Sequence, residues 1–582
     1  MSIILGLSGA LGHDASAALL VDGELVAAAE EERFLRDKHA KGRLPLEAAR
    51  YCLREAGLAP GDVQVIAFPY APVSLFEPAR WRYALRHWYA PDRALDALFN
   101  GNRRFRRLRR RVRALCTELG VDWARVRFEP VAHHLSHASS AYHLSGYEGR
   151  TAILGVDGKG EYATTWFGWG DAGEMHCLAQ FIDPDSLAGV YGAITEYLGF
   201  EMLDGEYKVM GMAPYGDASR HDFSRLIALR DGRITVDTRL VNTVGLRRYK
   251  EAGKGYFFSP ELVRWLGPRR QGDAADEPYV HYAASMQRLY EERCLALIEH
   301  HLRPVLEQGN GRLVFAGGGA LNVKLNQRIV ALPYVRELFV QPAAGDAGTA
   351  LGAASFVAAR SGERVQPLRH VYLGPAFDRA ACEAALQACG ETVYWCVMDD
   401  PAARVADLLV KGHPVAWFHG RMEFGPRALG GRSILGCPSV RGVADTINAQ
   451  IKFRERWRPF CPSMLPAAAA EIVGGNQPAP YMTITFPVDA RWKTRLPEVV
   501  HEDGTARIQV VDERTNARYH RLLCELERRT GYGVVLNTSL NRRGEPMVCS
   551  PADALTMFLG CDLQFLALED LLVVKQPANL RA

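Results

Sequence analysis

The chain runs to 582 residues, too long for one compact core, so two or more domains are expected. Apolar residues make up 48% and charged residues 23%, a globular balance, and a formal charge of +4 is too weak to argue for a nucleic-acid partner. The twelve cysteines include no Cys-x-x-Cys pair, which argues against a structural zinc site and a disulfide framework and for a reducing compartment.

No stretch of about 18 residues is uninterruptedly apolar, so neither a membrane span nor a membrane partner is expected. The opening Met1–Gly9 lacks the basic leader and long apolar core of a signal peptide, and the expected location is cytoplasmic.

In chain order, residues 3–9 (Ile-Ile-Leu-Gly-Leu-Ser-Gly) form a short apolar run that ends in a small residue and glycine. Strand-like Ala17–Val21 and Glu24–Ala28 follow, separated by an Asp-Gly turn, and His13 and Asp14 occupy the first inter-strand turn. Residues 103–113 hold eight arginines with apolar positions 105, 108 and 112 at helical spacing, which reads as an amphipathic surface helix. After strand-like Val126–Phe128 comes His133-His-Leu-Ser-His137, leading into the Ala/Ser-rich helix Ala138–Ala141. His133 and His137 are four apart, share one helical face and can chelate one divalent ion.

Residues 152–158 (Ala-Ile-Leu-Gly-Val-Asp-Gly) echo residues 3–9, and strand-like Ala163–Phe167 and Glu174–Gln180 complete a second meander of the same design. The echo indicates a duplicated βββ-led α/β unit. Asp157 ends the repeated strand, and Asp346 lies in another glycine-flanked turn, residues 341–348. Two imidazoles with one or two such carboxylates suit Fe(II), Mn(II) or Zn(II) in contact with phosphate oxygens. Between them, strand-like Leu313–Ala316 runs into the glycine-rich turn Gly317–Asn322, whose backbone N–H groups can approach a phosphate or ribose.

A polar, turn-rich stretch at 361–367 places a domain boundary near 370, and a fresh helix at Arg379–Ala388 follows. Strand-like Val415–Phe418 and Tyr532–Leu536, with helices between, make the second domain α/β as well. It carries separated cations: Arg421, Arg427 and Arg432; Lys452, Arg454, Arg456 and Arg458; and Arg507. Ser539 and Asn541 lie in the Asn-Thr-Ser-Leu-Asn run that ends a strand. Guanidinium groups bind phosphate bidentately and hydroxyls fill the remaining acceptor sites, so this set reads as a multi-phosphate pocket.

Taken together these motifs resemble the NodU/CmcH family of carbamoyltransferases. The resemblance covers nearly the whole chain. It rests above all on Gly205-Glu-Tyr-Lys-Val-Met-Gly-Met-Ala-Pro-Tyr-Gly216 and Glu423-Phe-Gly-Pro-Arg-Ala-Leu-Gly430. Gly12–Ser16, His133–Ala138, Val156–Gly158, Gly317–Asn322, Arg458–Phe460, Asp503–Arg507 and Asn537–Ser539 add to it. Gly431, Cys461 and Leu540 stand where the family usually has Asn, Ala and Phe, a difference of pocket shape that removes no charged or metal-binding group.

The resemblance implies an α/β protein with two parts. Residues 1–370 would be a duplicated actin-like ATPase (ribonuclease-H-type) domain that transfers the carbamoyl group, similar to the threonylcarbamoyl-transferring protein of tRNA modification. Residues 371–582 would be a YrdC-like α/β domain that makes carbamoyl-AMP from carbamoyl phosphate and ATP, with Mg(II) accompanying ATP. By position, Arg427, Lys452, Arg458, Arg507 and Ser539 would hold carbamoyl phosphate and the ATP phosphates. His133, His137, Asp157 and Asp346 would ligate Fe(II) or a similar ion, and Gly317, Gly318 and Asn322 would line the nucleotide. His13 or Asp14 is the candidate base for the acceptor, a hydroxylated small-molecule natural product such as those of antibiotic biosynthesis. A homodimer is left open, and a nucleic-acid partner is not expected.

The main competing reading is a tRNA threonylcarbamoyladenosine-type enzyme, for which the arginine run is the only supporting feature. A hydrogenase-maturation carbamoyltransferase would need zinc-finger cysteine pairs, which are absent, and a chaperone-type ATPase switch leaves the C-terminal phosphate constellation unexplained.

Overall fold

The computed structural model describes residues 1–272, 276–390, 392–452, 455, 457–475 and 477–581; Arg454 and Arg456 lie outside the described residues. The chain divides into two units, Met1–Ala27 with Gly42–Leu368, and Ala28–Lys41 with Arg369–Ala582. Both are mixed α/β.

The first unit contains two five-stranded sheets of one design. In the first the order is Glu24–Glu30, Ser16–Val21, Ile3–Leu7, Val65–Phe68, Arg127–Pro130. In the second it is Glu174–Ile182, Ala163–Asp171, Thr151–Val156, Arg312–Ala316, Glu337–Val340. In each, the founding strand pairs antiparallel with the strand after it and parallel with a later one, Ile4 opposite Val65 and Ile153 opposite Val314. The meanders expected from the echoing segments are therefore present, with their last strands running on to Glu30 and Ile182, two residues past the expected Ala28 and Gln180.

Two helices fill the space between these sheets. Ala353, Ala354, Val357 and Ala358 of helix Gly348–Arg360 pack on Ile4, Leu20, Val65 and Ala67 of the first sheet. Ala138, Ala141 and Tyr142 of helix His133–Tyr142 pack on Ile153, Trp166, Val314 and Ala316 of the second. The helices meet at Gly352, where a Cβ would overlap the Ser136 carbonyl. Only glycine allows this approach, and it fixes the helix that carries the histidines. That helix starts at His133, earlier than its alanine run suggests, and is buried along its length, which explains why it lacks a polar stripe.

The second unit is built on an eight-stranded sheet. Its order is Tyr394–Val397, Leu571–Val574, Phe565–Leu568, Val415–Phe418, Arg432–Gly436, Val534–Ser539, Cys461–Met464, Gln509–Val510. Val415–Phe418 and Val534–Ser539 both run antiparallel to the strand between them, so their C-terminal ends share one edge. The strand expected at Tyr532–Leu536 begins at Val534, because the preceding helix closes on Gly531 (φ +85°) and Tyr532–Gly533 form the connection. Asn537, Thr538 and Ser539 thereby belong to the strand itself.

Candidate functional site

In the first unit, four side chains from three separate chain segments, two of them on helix His133–Tyr142, converge on one point. The ligating atoms of His133, His137, Asp157 and Asp346 all lie within 4.8 Å of one another, and all four residues are buried. The two Nε2 atoms are 3.2 Å apart across perpendicular rings. Asp346 Oδ1 lies 3.4 Å from His133 Nε2 and 3.5 Å from His137 Nε2, while Asp157 Oδ2 lies at 3.6 and 4.0 Å.

The surroundings aim each group inward. His133 Nδ1 lies 3.4 Å from the Pro69 carbonyl; donation there leaves the Nε2 lone pair free to face the cluster. Asp157 is held by the Gly318 N–H, which donates to Oδ1 at 2.8 Å, leaving Oδ2 for the histidines. Gly317 has φ +91°, and a Cβ there would strike the backbone of Val156. The glycine turn is thus what lets Gly318 reach Asp157. Glu161, which the sequence reading passed over, accepts the His133 N–H and the Ala71 N–H and so caps the histidine helix. Its only signal was a carboxylate after Gly158-Lys-Gly160, a pattern common in turns.

His13 and Asp14 stand beside the cluster. His13 Nδ1 is 2.9 Å from Asp14 Oδ2 and 3.8 Å from Asp346 Oδ2. The loop is tied down by Ser16, whose hydroxyl donates to the carbonyl of Ala347, next to Asp346, at 2.6 Å. Asn322 caps the helix Val323–Val330 through the Leu325 N–H and exchanges two amide hydrogen bonds with Gln287, so its side chain braces the glycine turn.

Electrostatics agree with this geometry. Burial disfavours charge on His133, yet Asp346 and Asp157 raise it well above the usual histidine value. Burial likewise opposes the Asp157 anion, but the His133 hydrogen bond and the histidine charges hold it at about 2; Asp346 is also held well below the ordinary carboxylate range. His13, against its burial, is pushed up to about 9 by Asp346 and Asp14. Burial, with His133 next to it, pushes His134 down to about 3, so that ring stays neutral and outside the set. Two carboxylate anions are thus balanced by inward-facing imidazoles, a task that a divalent cation performs equally well with this donor set. The residues present fit such an ion.

The second unit brings together a different set. Lys452 is buried, and its Nζ donates to the Ser539 carbonyl and hydroxyl and to the Asn541 carbonyl and Oδ1 at 2.5 to 3.2 Å. The Ser539 hydroxyl also donates to Asn541 Oδ1 at 2.6 Å. Asn541 belongs to this cluster although, of the two polar residues named in that run, only Ser539 was expected to contact phosphate; its two-residue offset from Ser539 was the available signal. Arg507 Nε lies 3.1 Å from Cys461 Sγ, and Cys461 pairs with Asn537 across the sheet. Asn537 donates to the Ala428 carbonyl at 3.1 Å, which ties the loop of Arg427 to the same strand. Buried Glu423 gathers the N–H groups of Leu429, Gly431 and Arg432 and so shapes that loop. Arg458 is held separately, 3.5 Å from Glu455.

Two family models match successive parts of the chain. The family model described as Carbamoyltransferase N-terminus matches residues 3–355, and Carbamoyltransferase C-terminus matches residues 406–575. Nodulation protein NolNO of Sinorhizobium fredii is 37% identical over 99% of this chain and 83% of its own length. Nodulation protein U of Rhizobium tropici is 27% identical over 92% of this chain and 90% of its own. Among solved structures, full-length HypF in the phosphate- and nucleotide-bound form aligns with 61% of this chain and 55% of its own at 10% identity and a TM-score of 0.28. The activator of 2-hydroxyisocaproyl-CoA dehydratase from Clostridium difficile aligns with 62% of this chain and 96% of its own at 13% identity and a TM-score of 0.30. With both family models matched in order on one chain, the protein belongs to the carbamoyltransferase family and is a carbamoyltransferase enzyme.

Proposed function

We propose that this enzyme is an ATP-dependent O-carbamoyltransferase with a YrdC-like second unit that makes carbamoyl-AMP and a first unit that transfers the carbamoyl group to a small-molecule hydroxyl. The observation that carries the reading is the Lys452 ammonium, buried and held by Ser539 and Asn541 at the end of a strand whose flanks bear the Arg427 loop and Arg507. A fixed cation with hydroxyl and guanidinium groups around it suits a chain of phosphates.

The chemistry balances as follows. Water cleaves carbamoyl phosphate to carbamate and phosphate. A carbamate oxygen attacks the α-phosphorus of ATP, and pyrophosphate leaves, giving carbamoyl-AMP. The acceptor oxygen then attacks the carbamoyl carbon, AMP departs, and the hydroxyl proton passes to a base. Adenylation is needed because the carbamoyl nitrogen deactivates the carbonyl, so attack by an alcohol requires a good leaving group.

In the first unit, His133, His137, Asp157 and Asp346 would hold the divalent ion. Such an ion supplies Lewis-acid stabilisation of charge on a phosphate or carbonyl oxygen. The Gly317–Gly318 turn orients Asp157 and, with the Asn322 brace, forms the wall proposed for the nucleotide. His13 is the proposed proton acceptor. The two carboxylates beside it favour its protonated form, so deprotonating the acceptor requires that the Asp346 charge be engaged elsewhere. Asp14 then orients the ring through its Nδ1.

The test is pyrophosphate release from ATP with and without carbamoyl phosphate, for the wild type and Arg427→Ala. Release that depends on carbamoyl phosphate and is lost in the variant supports the reading. Release with threonine and bicarbonate instead would replace it with tRNA modification.

A further inference from the structure

Between strands Val65–Phe68 and Arg127–Pro130 the chain makes an excursion of three helices, Pro78–Arg86, Pro91–Asn100 and Arg103–Leu119. The functional site uses none of their outward faces. The first helix buries Arg80, Tyr83 and Ala84 and turns Trp81 and Leu85 outward, with Trp88 just beyond its end. These three are spaced i, i+4, i+7, and Leu85 and Trp88 are 72% and 75% exposed. The second helix buries Ala97 and turns Leu95 and Phe99 outward, Phe99 to 77%. Phe76, before the first helix, is 89% exposed. Both helices therefore show water an apolar row where a surface helix normally shows polar residues.

This is a built surface. The buried Arg80 guanidinium donates to the carbonyls of Val73, Ala97 and Leu98 and so clamps the helices together. The Asn102 amide brackets Val73, accepting its N–H and donating to its carbonyl, at 2.9 and 3.0 Å.

The third helix follows across Gly101 and Asn102, with Leu108, Val112, Leu115, Cys116 and Leu119 buried. Arg106, Arg107, Arg109, Arg110 and Arg113 face outward, and among the described residues none of the five is ion-paired. Arg104 and Arg111 instead fasten the helix to the body, donating to the carbonyls of Ala10 and Gly42.

We propose that this excursion docks on a lipid bilayer surface carrying anionic headgroups, with the aromatic row entering the interface and the arginines covering phosphates. Exposed Trp and Phe together with unpaired Arg in one excursion is the composition of helices that lie in the interfacial plane. Charge complementarity selects the partner. A twofold contact between copies sets one patch against itself and gathers two arginine rows of like charge into one interface. A nucleic acid would take the arginines but leave the aromatic row in water. The absence of a spanning segment does not bear on this, because helices of 9 and 10 residues lie on a membrane and do not cross it.

The experiment is co-sedimentation of the full chain with phosphatidylcholine vesicles, with and without phosphatidylglycerol, in 0.1 M and 0.5 M NaCl. Binding should rise about ten-fold with the anionic lipid and fall at high salt, as expected for headgroup attraction. Trp88→Ser with Phe99→Ser should abolish binding, and Arg106→Glu with Arg110→Glu should reduce it to the level seen with neutral vesicles. Pyrophosphate release and the urea-unfolding midpoint should be unchanged in both variants, which shows that both units fold. No binding by an active wild type overturns the proposal, as does equal binding to both vesicle types. Self-association that the Trp88/Phe99 substitutions abolish, without vesicle binding, or retention on RNA alone, replaces it with a second copy or a nucleic acid.

Discussion

The Glu30 carboxylate accepts the N–H of Gly425 at 2.7 Å, so a helix-bearing segment near the start of the chain fixes the turn that carries Arg427. Arg33 completes the lock, donating to the Gly425 carbonyl at 3.0 Å and pairing with Glu30 at 3.2 Å and Glu32 at 2.9 Å. Glu30 and Arg33 are both buried.

Removing the Glu30 charge should therefore act twice. Glu30→Ala leaves Arg33 short of a buried partner; because Glu32 remains, the loss should fall at or below the lower end of the ~3–5 kcal/mol typical of broken buried pairs. Glu30→Gln keeps an acceptor for Gly425 and should lose less stability, yet raise the KM for carbamoyl phosphate by loosening the Arg427 turn. Urea unfolding and pyrophosphate kinetics measure the two effects. A Glu30→Gln enzyme with an unchanged KM would show that the lock has no bearing on Arg427.

Metal content separates the two sites. The purified enzyme should carry ~1 equivalent of a divalent transition ion in the His/Asp set. His137→Ala and Asp346→Asn should each lose most of it, measured by elemental analysis. Transfer to an acceptor should fall with metal content while carbamoyl-phosphate-dependent pyrophosphate release persists. Wild-type metal content in both variants would refute the assignment of the ion to these residues.

Lys452 is the group whose removal should cost the adenylating step most. Loss of a preorganised charge donor typically costs about 10²–10³ in rate, and Lys452→Met should lie in that range for pyrophosphate release. Ser539→Ala and Asn541→Ala should each cost less and by similar factors, since both act by holding the same ammonium. Wild-type release in Lys452→Met would place the phosphates elsewhere.

The parts of this enzyme legible in sequence were those with local signals. The i, i+4 spacing of His133 and His137 and the turns bearing Asp157 and Asp346 named the four residues whose side chains converge, and the echo of residues 3–9 at 152–158 named the duplicated sheets. Each sits at a strand end or on a helix, where period and glycine punctuation are informative. What escaped was non-local. Glu161 capping the histidine helix, and Glu30 and Arg33 holding Gly425, are single charges whose partners lie tens to hundreds of residues away. No spacing rule announces them. The outward apolar rows at 81–88 and 95–99 were likewise hidden, because periodicity gives a face but not which way it points.

Acid should weaken the first unit through His143. Its Nε2 is 3.0 Å from the Gly173 carbonyl and its Nδ1 2.8 Å from the Ser139 hydroxyl, a pattern that suits a neutral ring donating from Nε2 and accepting at Nδ1. Burial lowers its pKa below the ordinary 6.5, and the backbone carbonyls of Gly173 and Ser139 offset only part of that. In the unfolded chain the ring takes up a proton as pH falls through 6.5, whereas the folded protein refuses it until a lower pH. Between those two values the unfolded state binds more protons, so stability falls as pH falls. His143→Gln keeps a donor and an acceptor but cannot titrate. The urea midpoint of the wild type should therefore drop more between pH 7.5 and pH 5.5 than that of the variant. Other histidines such as His87 and His301, whose pKa values partial or full burial also lowers, contribute equally to both proteins and cancel in the comparison. Equal drops in the two proteins would mean that His143 is protonated in the folded state at pH 5.5, and that its hydrogen bond to Ser139 is remade with the ring as donor.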